Sequence, residues 1–82
     1  MTGFEAHITR TAAHRDADEL TRHLAAYAET RWRAGQRGPV TTRLLAAHLG
    51  WRESRTADAL ALAQQLGQVG VSVFDGGWYA KC

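Results

Sequence analysis

The sequence predicts a small α+β domain: three helices followed by a C-terminal β-hairpin, with a short strand near the N-terminus. Three observations carry this. Apolar residues recur at helical spacing from Leu20 to Trp32, and two shorter apolar runs each stop at a glycine, Gly50 and Gly67. Beyond Gly67 the period changes from that of a helix to that of a strand. At 82 residues the chain is one domain, able to bury roughly 60% of its unfolded surface. That leaves little room for a catalytic pocket with its own supporting shell, and no enzyme activity is expected. A hydrophobic content of 45% is too high for a disordered chain.

The elements follow in order. Phe4-Glu5-Ala6-His7-Ile8 alternate apolar and polar, which predicts a short half-buried strand within an N-terminal extension, residues 1–15. Asp16 with Glu19 three residues later resembles a capping box. Leu20, Leu24, Tyr27 and Ala28 then recur at helical spacing, with Trp32 one turn on, and Gly35 is a natural left-handed terminator. The first helix is therefore placed at 16–34, followed by a loop over 35–39 and a short strand near Val40. Thr41 or Thr42 caps a second helix, 42–49, whose apolar positions are Leu44, Leu45 and Leu49. After a turn at 50–53, Ser54 caps a third helix, 54–66. Its inward stripe is Thr56, Ala59, Leu60, Ala63 and Leu66. Two short helices joined by so tight a turn form a helix-turn-helix pattern.

The last part of the chain, 69–81, reads as a hairpin. Val69, Val71 and Val73 alternate with other residues, Asp75-Gly76-Gly77 supplies the turn, and Trp78-Tyr79-Ala80-Lys81 returns. Tyr27, Trp51, Phe74 and Trp78 are expected in the core. Trp32, between Arg31 and Arg33, either packs against the hairpin or stacks on a dimer partner or nucleic acid.

The charge is unevenly placed. The net charge is only +2, yet six arginines (Arg31, Arg33, Arg37, Arg43, Arg52 and Arg55) lie between positions 31 and 55 against one acid, Glu53. The remainder of the chain is more acidic than basic. Fifteen alanines and a single lysine suggest a compositional bias toward arginine, but bias does not explain clustering. A positive face attracts phosphates.

Other chemistries find no support. The one cysteine, Cys82, allows neither an internal disulfide nor a multi-cysteine zinc site. His7, His14, His23 and His48 stand far apart in sequence without zinc-helix spacing, so no metal is expected. No phosphate loop, nucleophile-base order or paired carboxylate in an apolar setting occurs, and no cofactor is expected. No apolar run is long enough to span a membrane, and residues 1–5 lack a secretory start. A cytoplasmic location without a membrane partner is the expectation.

From Pro39 to Lys81 the chain resembles a winged helix-turn-helix DNA-binding domain, with 16–34 as the helix preceding the motif. The resemblance lies in Thr42-Arg43-Leu44-Leu45-Ala46-Ala47-His48-Leu49-Gly50, in Ser54-Arg55-Thr56 opening the recognition helix, in Leu66-Gly67-Gln68-Val69, and in Asp75-Gly76-Gly77 before Trp78-Tyr79. It departs from the pattern in two places. The turn after Gly50 is slightly longer than usual, and the wing is short, with Asp75 rather than a basic residue at its tip.

The resemblance implies that helix 54–66 enters the major groove. Arg55 would read guanine O6 and N7, with Asp58 beside it; the plainer alternative is an Arg55–Asp58 ion pair across one turn. Ser54 and Thr56 sit at the helix start, where backbone N–H groups favour a phosphate. Arg43 and Arg52, with Thr41 and Thr42, would contact phosphates and set register. Arg37 would reach an adjacent phosphate or a partner, and Lys81 is the wing's one positive charge. Arg31 and Arg33 suit the C-terminal end of the first helix dipole.

Two functions remain. The first is a sequence-specific double-stranded DNA-binding protein, most simply a bacterial or phage transcriptional regulator, acting as a homodimer on half-sites about 34 Å apart. The second is an adaptor or inhibitor that binds a protein partner, since Glu53, Asp58 and Asp75 would all face phosphates. A continuous positive stripe favours the first. A stripe broken by those acids, beside an exposed Trp32, favours the second.

Overall fold

A computed structural model describes the backbone of residues 2–81 and the side chains of residues 12–81. Three helices, α1 (Thr2–Arg33), α2 (Thr42–Leu49) and α3 (Glu53–Gln65), precede two strands, β1 (Val69–Val71) and β2 (Trp78–Ala80). The strands pair antiparallel, with Val69 opposite Ala80, Gly70 opposite Tyr79 and Val71 opposite Trp78. This is the predicted small α+β layout of three helices and a C-terminal hairpin.

The beginning of the chain departs from expectation. Residues 4–8 are helical, not a strand, and α1 starts at Thr2 rather than near Asp16. Alternation over five residues is weak evidence, because it also places Phe4 and Ile8 one helical turn apart. No glycine or proline interrupts the chain from residue 4 to residue 34, so nothing stops the helix. Asp16 and Glu19 accordingly lie inside α1 and do not cap it. At 32 residues the helix spans roughly 48 Å, close to the 52 Å long dimension of the molecule.

One core joins all the elements. Ala17, Leu20 and Leu24 of α1 meet Leu45 of α2, Ala59, Leu60 and Ala63 of α3, Val69 of β1, and Val40. Tyr27, Leu49, Trp51, Leu62, Trp78 and Ala80 pack around them. Leu66, expected in the inward stripe, follows the last turn of α3 and is exposed, as is Leu44. Phe74 departs further: it is 95% exposed, and Val73 beside it 92%. The strand period read through Val73 fails because pairing ends at Val71, and both residues belong to the loop.

All three helices stop in the same way. Gly35, Gly50 and Gly67 each adopt positive φ. The glycine N–H returns to a carbonyl three residues back and the next N–H to one five back, as in Gly50 to Ala47 and Trp51 to Ala46. This double bond pattern satisfies carbonyls the helix end would otherwise leave open. At the other end of α2, the Thr41 hydroxyl accepts from the Leu44 N–H at 3.1 Å. The predicted Ser54 cap is not formed. The N-cap of α3 is Arg52, which makes no side-chain cap, and Ser54 lies within the helix.

The hairpin is fixed at both ends. Gly76 takes positive φ, and the Asp75 carboxylate accepts from the Gly77 N–H at 2.9 Å. The Trp78 N–H donates to the Val40 carbonyl at 2.9 Å. The strand expected near Val40 is thus reduced to a single backbone hydrogen bond alongside β2. The Trp78 indole N–H donates to the Thr42 hydroxyl at 3.2 Å, tying β2 to the start of α2. At the hairpin base, Gln68 donates to Asp18 at 2.8 Å and accepts from Thr21 at 3.3 Å, both on α1.

Candidate nucleic-acid interface

Helix α3 turns Thr56, Ala59, Leu60 and Ala63 into the core. At 3.6 residues per turn, Ser54, Asp58, Ala61 and Gln65 therefore form a stripe on the opposite side, flanked by Ala57 and Gln64, and all six are exposed. The stripe is built of small, amide and acidic side chains and holds no cation. Any positive charge offered to a phosphate must come from its borders.

The arginine cluster resolves by partner. Arg33 pairs with Glu29 one turn back at 2.7 Å. Arg31 donates to the carbonyls of Arg37 and Gly38, each at 3.4 Å, and its guanidinium lies 5.7 Å from the Tyr27 ring centre. Arg37 covers Trp32 at 4.1 Å, and Trp32 is 68% exposed, so it does not pack into the hairpin. Arg55 is held by Asp16 and Trp51. Arg43, in the first turn of α2, and Arg52, at the N-cap of α3, are exposed and have no side-chain partner among the described residues.

Arg55 makes the one bidentate ion pair among the described residues. Its Nε donates to Asp16 Oδ2 at 3.1 Å and its Nη2 to Oδ1 at 2.8 Å, a side-on bidentate pair between α3 and α1. One face of the guanidinium lies 3.8 Å from the Trp51 ring centre, within cation–π range. The hydrogen bond from Arg55 holds the Asp16 carboxyl below its ordinary range, and the same bond raises Arg55. The ion pair expected between Arg55 and Asp58 is not formed. A groove of about 370 Å³ between α1 and α3 opens here, lined by Asp16, Ser54, Arg55, Asp58 and Leu62 among others.

The other sequence-predicted contacts divide. Thr41, Ser54 and Asp58 are exposed beside the unpartnered Arg43 and Arg52 in sequence. Thr56 is not available for a ligand: it is fully buried, and its hydroxyl donates to the Arg52 carbonyl at 2.9 Å. The Thr42 hydroxyl is engaged by Trp78. Lys81 lies at the hairpin base in a shallow groove with Asp18, Thr21, Arg22 and Gln68, away from the hairpin tip.

Two features escaped sequence reasoning. Tyr27 and His48 stack at 4.2 Å between ring centres, and His23 meets His48 edge-on at 6.3 Å. This brings together histidines 25 positions apart on α1 and α2. No group of three or more metal-ligating side chains occurs among the described residues. The second feature is the exposed Val73–Phe74 tip. No helix among the described residues is long and apolar enough to cross a membrane. No known protein family, curated protein or solved structure matches the chain.

Proposed function

We propose that the protein is a small double-stranded DNA-binding module of the winged helix-turn-helix kind, most simply a transcriptional regulator, which seats α3 in the major groove. One observation carries this reading: the two partnerless arginines of the cluster, Arg43 and Arg52, stand at the starts of α2 and α3. In a helix-turn-helix the starts of both helices lie against the duplex, and free arginines there would clamp phosphates on either side of the groove. Between them α3 offers small side chains, Ala57 and Ala61, that permit close approach, and Ser54, Gln64 and Gln65, whose polar groups pair with base edges. Thr41 caps α2 beside Arg43 by accepting from the Leu44 N–H, so the N–H groups of Thr42 and Arg43 are those of the first turn that would meet a phosphate oxygen.

Selection from a random duplex library with the purified protein tests this. An enriched motif is expected. Plotting log affinity against log salt for that motif should give a slope that falls by about 0.9 with each of Arg43→Ala and Arg52→Ala. Absence of any enriched duplex at low salt refutes the reading.

A second reading, an adaptor that binds a protein partner, is favoured by the hairpin tip. Val73 and Phe74 are almost wholly exposed beside Asp75, a combination that suits an apolar protein surface better than a phosphate backbone. Failure of duplex selection, with partner capture abolished by Phe74→Ser, supports it.

A further inference from the structure

We infer that Asp16, on α1, is the positioning residue that sets Arg55 to read a guanine. The inference rests on the DNA-binding reading above and names the base for which the interface is prepared. The side-on pair with Asp16 uses the Nε–H and one Nη2–H of Arg55. The end-on edge, formed by Nη1 and the outer N–H of Nη2, makes no hydrogen bond among the described residues. That edge is the planar fork whose spacing matches guanine O6 and N7.

Three constraints hold the fork in place. Asp16 fixes its side edge, the Trp51 ring covers one face at 3.8 Å, and the first turn of α3 fixes its root. A surface arginine ordinarily loses side-chain entropy when it is immobilised on a ligand; here much of that loss is already incurred in the unbound protein. The Asp16 charge also decides what the fork selects. Its carboxylate cancels the long-range attraction that would draw Arg55 to any phosphate, and leaves short-range hydrogen bonding to a neutral pair of acceptors. Arg55 thereby differs from Arg43 and Arg52, whose charge is uncompensated. Ser54 and Asp58, from the exposed stripe of α3, line the same groove as Arg55 and Asp16, which places the fork at the border of the groove-facing surface.

The test is duplex selection and sequencing with the unaltered protein, Asp16→Asn and Arg55→Lys, with thermal melts as the check on folding. The unaltered protein should enrich a motif with one fixed guanine. Both variants should still bind duplex, with preference at that position reduced by a factor of about 5 to 150, the worth of one bidentate base contact. Replacing that guanine by 7-deazaguanine, which lacks the N7 acceptor, should weaken the unaltered protein more than it weakens Arg55→Lys, whose ammonium has no planar fork to match O6 and N7 together. This arm stands even if Asp16→Asn fails to fold. If the unaltered protein enriches nothing, the DNA-binding reading falls and this inference with it. A fixed guanine that persists in folded Asp16→Asn overturns this inference alone, as does one that tolerates 7-deazaguanine in the unaltered protein. So does a loss of affinity in Arg55→Lys that is equal for all sequences, which makes Arg55 a phosphate contact.

Discussion

Gly77→Ala tests how the hairpin is seated. A Cβ at position 77 would stand 2.7 Å from the Val40 nitrogen and 2.8 Å from the Pro39 Cα. Both neighbours are backbone, so no rotamer change relieves the overlap and the 39–40 segment must move. That segment accepts the Trp78 N–H at 2.9 Å and leads directly into Thr41, the cap of α2. Overpacking of this kind costs about 1–3 kcal/mol, and a weakened backbone hydrogen bond adds about 1 kcal/mol. The smaller entropy of alanine in the unfolded chain offsets about 0.4–1 kcal/mol. The net loss of about 1–3 kcal/mol corresponds to a melting temperature lower by roughly 5–20 °C in a domain of this size.

Gly70→Ala is the matched control. Its Cβ would meet the Tyr79 Oη at 2.8 Å, the Tyr79 Cζ at 2.9 Å and the Lys81 Cε at 3.0 Å. These are the far ends of side chains on exposed residues, which swing aside, so the drop should stay under about 5 °C, within the usual range of surface changes. Thermal melts followed by far-ultraviolet circular dichroism decide the comparison. If Gly77→Ala melts at or above Gly70→Ala, the hairpin is not seated on the 39–40 backbone, and the reasoning fails.

Three further outcomes are expected. Thr41→Ala removes the only side-chain cap of α2 and should cost about 1 kcal/mol in a thermal melt; an unchanged melt shows the cap contributes nothing. The Asp16 carboxyl titrates below its unfolded value of 3.8 in the folded protein, so the stability it lends is present above that pH and is lost as the pH falls through the lower folded value. Asp16→Asn should therefore melt below the unaltered protein near neutral pH, with the gap closing in acid; a gap independent of pH refutes the pairing. Phe74→Ser should change stability by no more than a small surface effect of about 0.5 kcal/mol in a thermal melt, because the residue is almost wholly exposed; a large loss would place Phe74 in the core after all.

The helix ends and the hairpin turn were legible in the sequence because each depends on a local backbone requirement. Positive φ at Gly35, Gly50, Gly67 and Gly76 is a property of glycine itself, and the Thr41 cap acts within three residues. Period also sufficed where a long window supported it, as for Leu20 and Leu24. It failed where the window was short. Five alternating residues at 4–8 are also compatible with a helix, and the alternation through Val73 outran a strand of three residues. The start of α3 was misjudged by one residue because Ser54 is a good cap by type, while the chain caps with the backbone of Arg52.

The candidate interface was legible only in part, because it depends on who pairs with whom across the fold. Asp16 and Arg55 are separated by 39 positions, and no spacing rule links them; the local rule favoured Asp58. That one tertiary choice has two consequences. It leaves Asp58 exposed on the outward stripe of α3, where an acid accepts from a base donor such as cytosine N4 and repels a phosphate. It also converts Arg55 from a diffuse positive charge into an oriented fork. The same logic applies to Arg31, Arg33 and Arg37, which are bound to carbonyls, Glu29 and Trp32. Counting arginines along the chain therefore overstates the positive charge available to a ligand. Of the six arginines, only Arg33 and Arg55 face a carboxylate. Arg31 and Arg37 keep their charge but are engaged by carbonyls and an indole ring, so the proposed nucleic-acid reading rests on the position of Arg43 and Arg52 at the starts of two successive helices rather than on the amount of charge. An acidic partner would be drawn by any exposed arginine, whereas a duplex would be met by residues at the starts of these two helices.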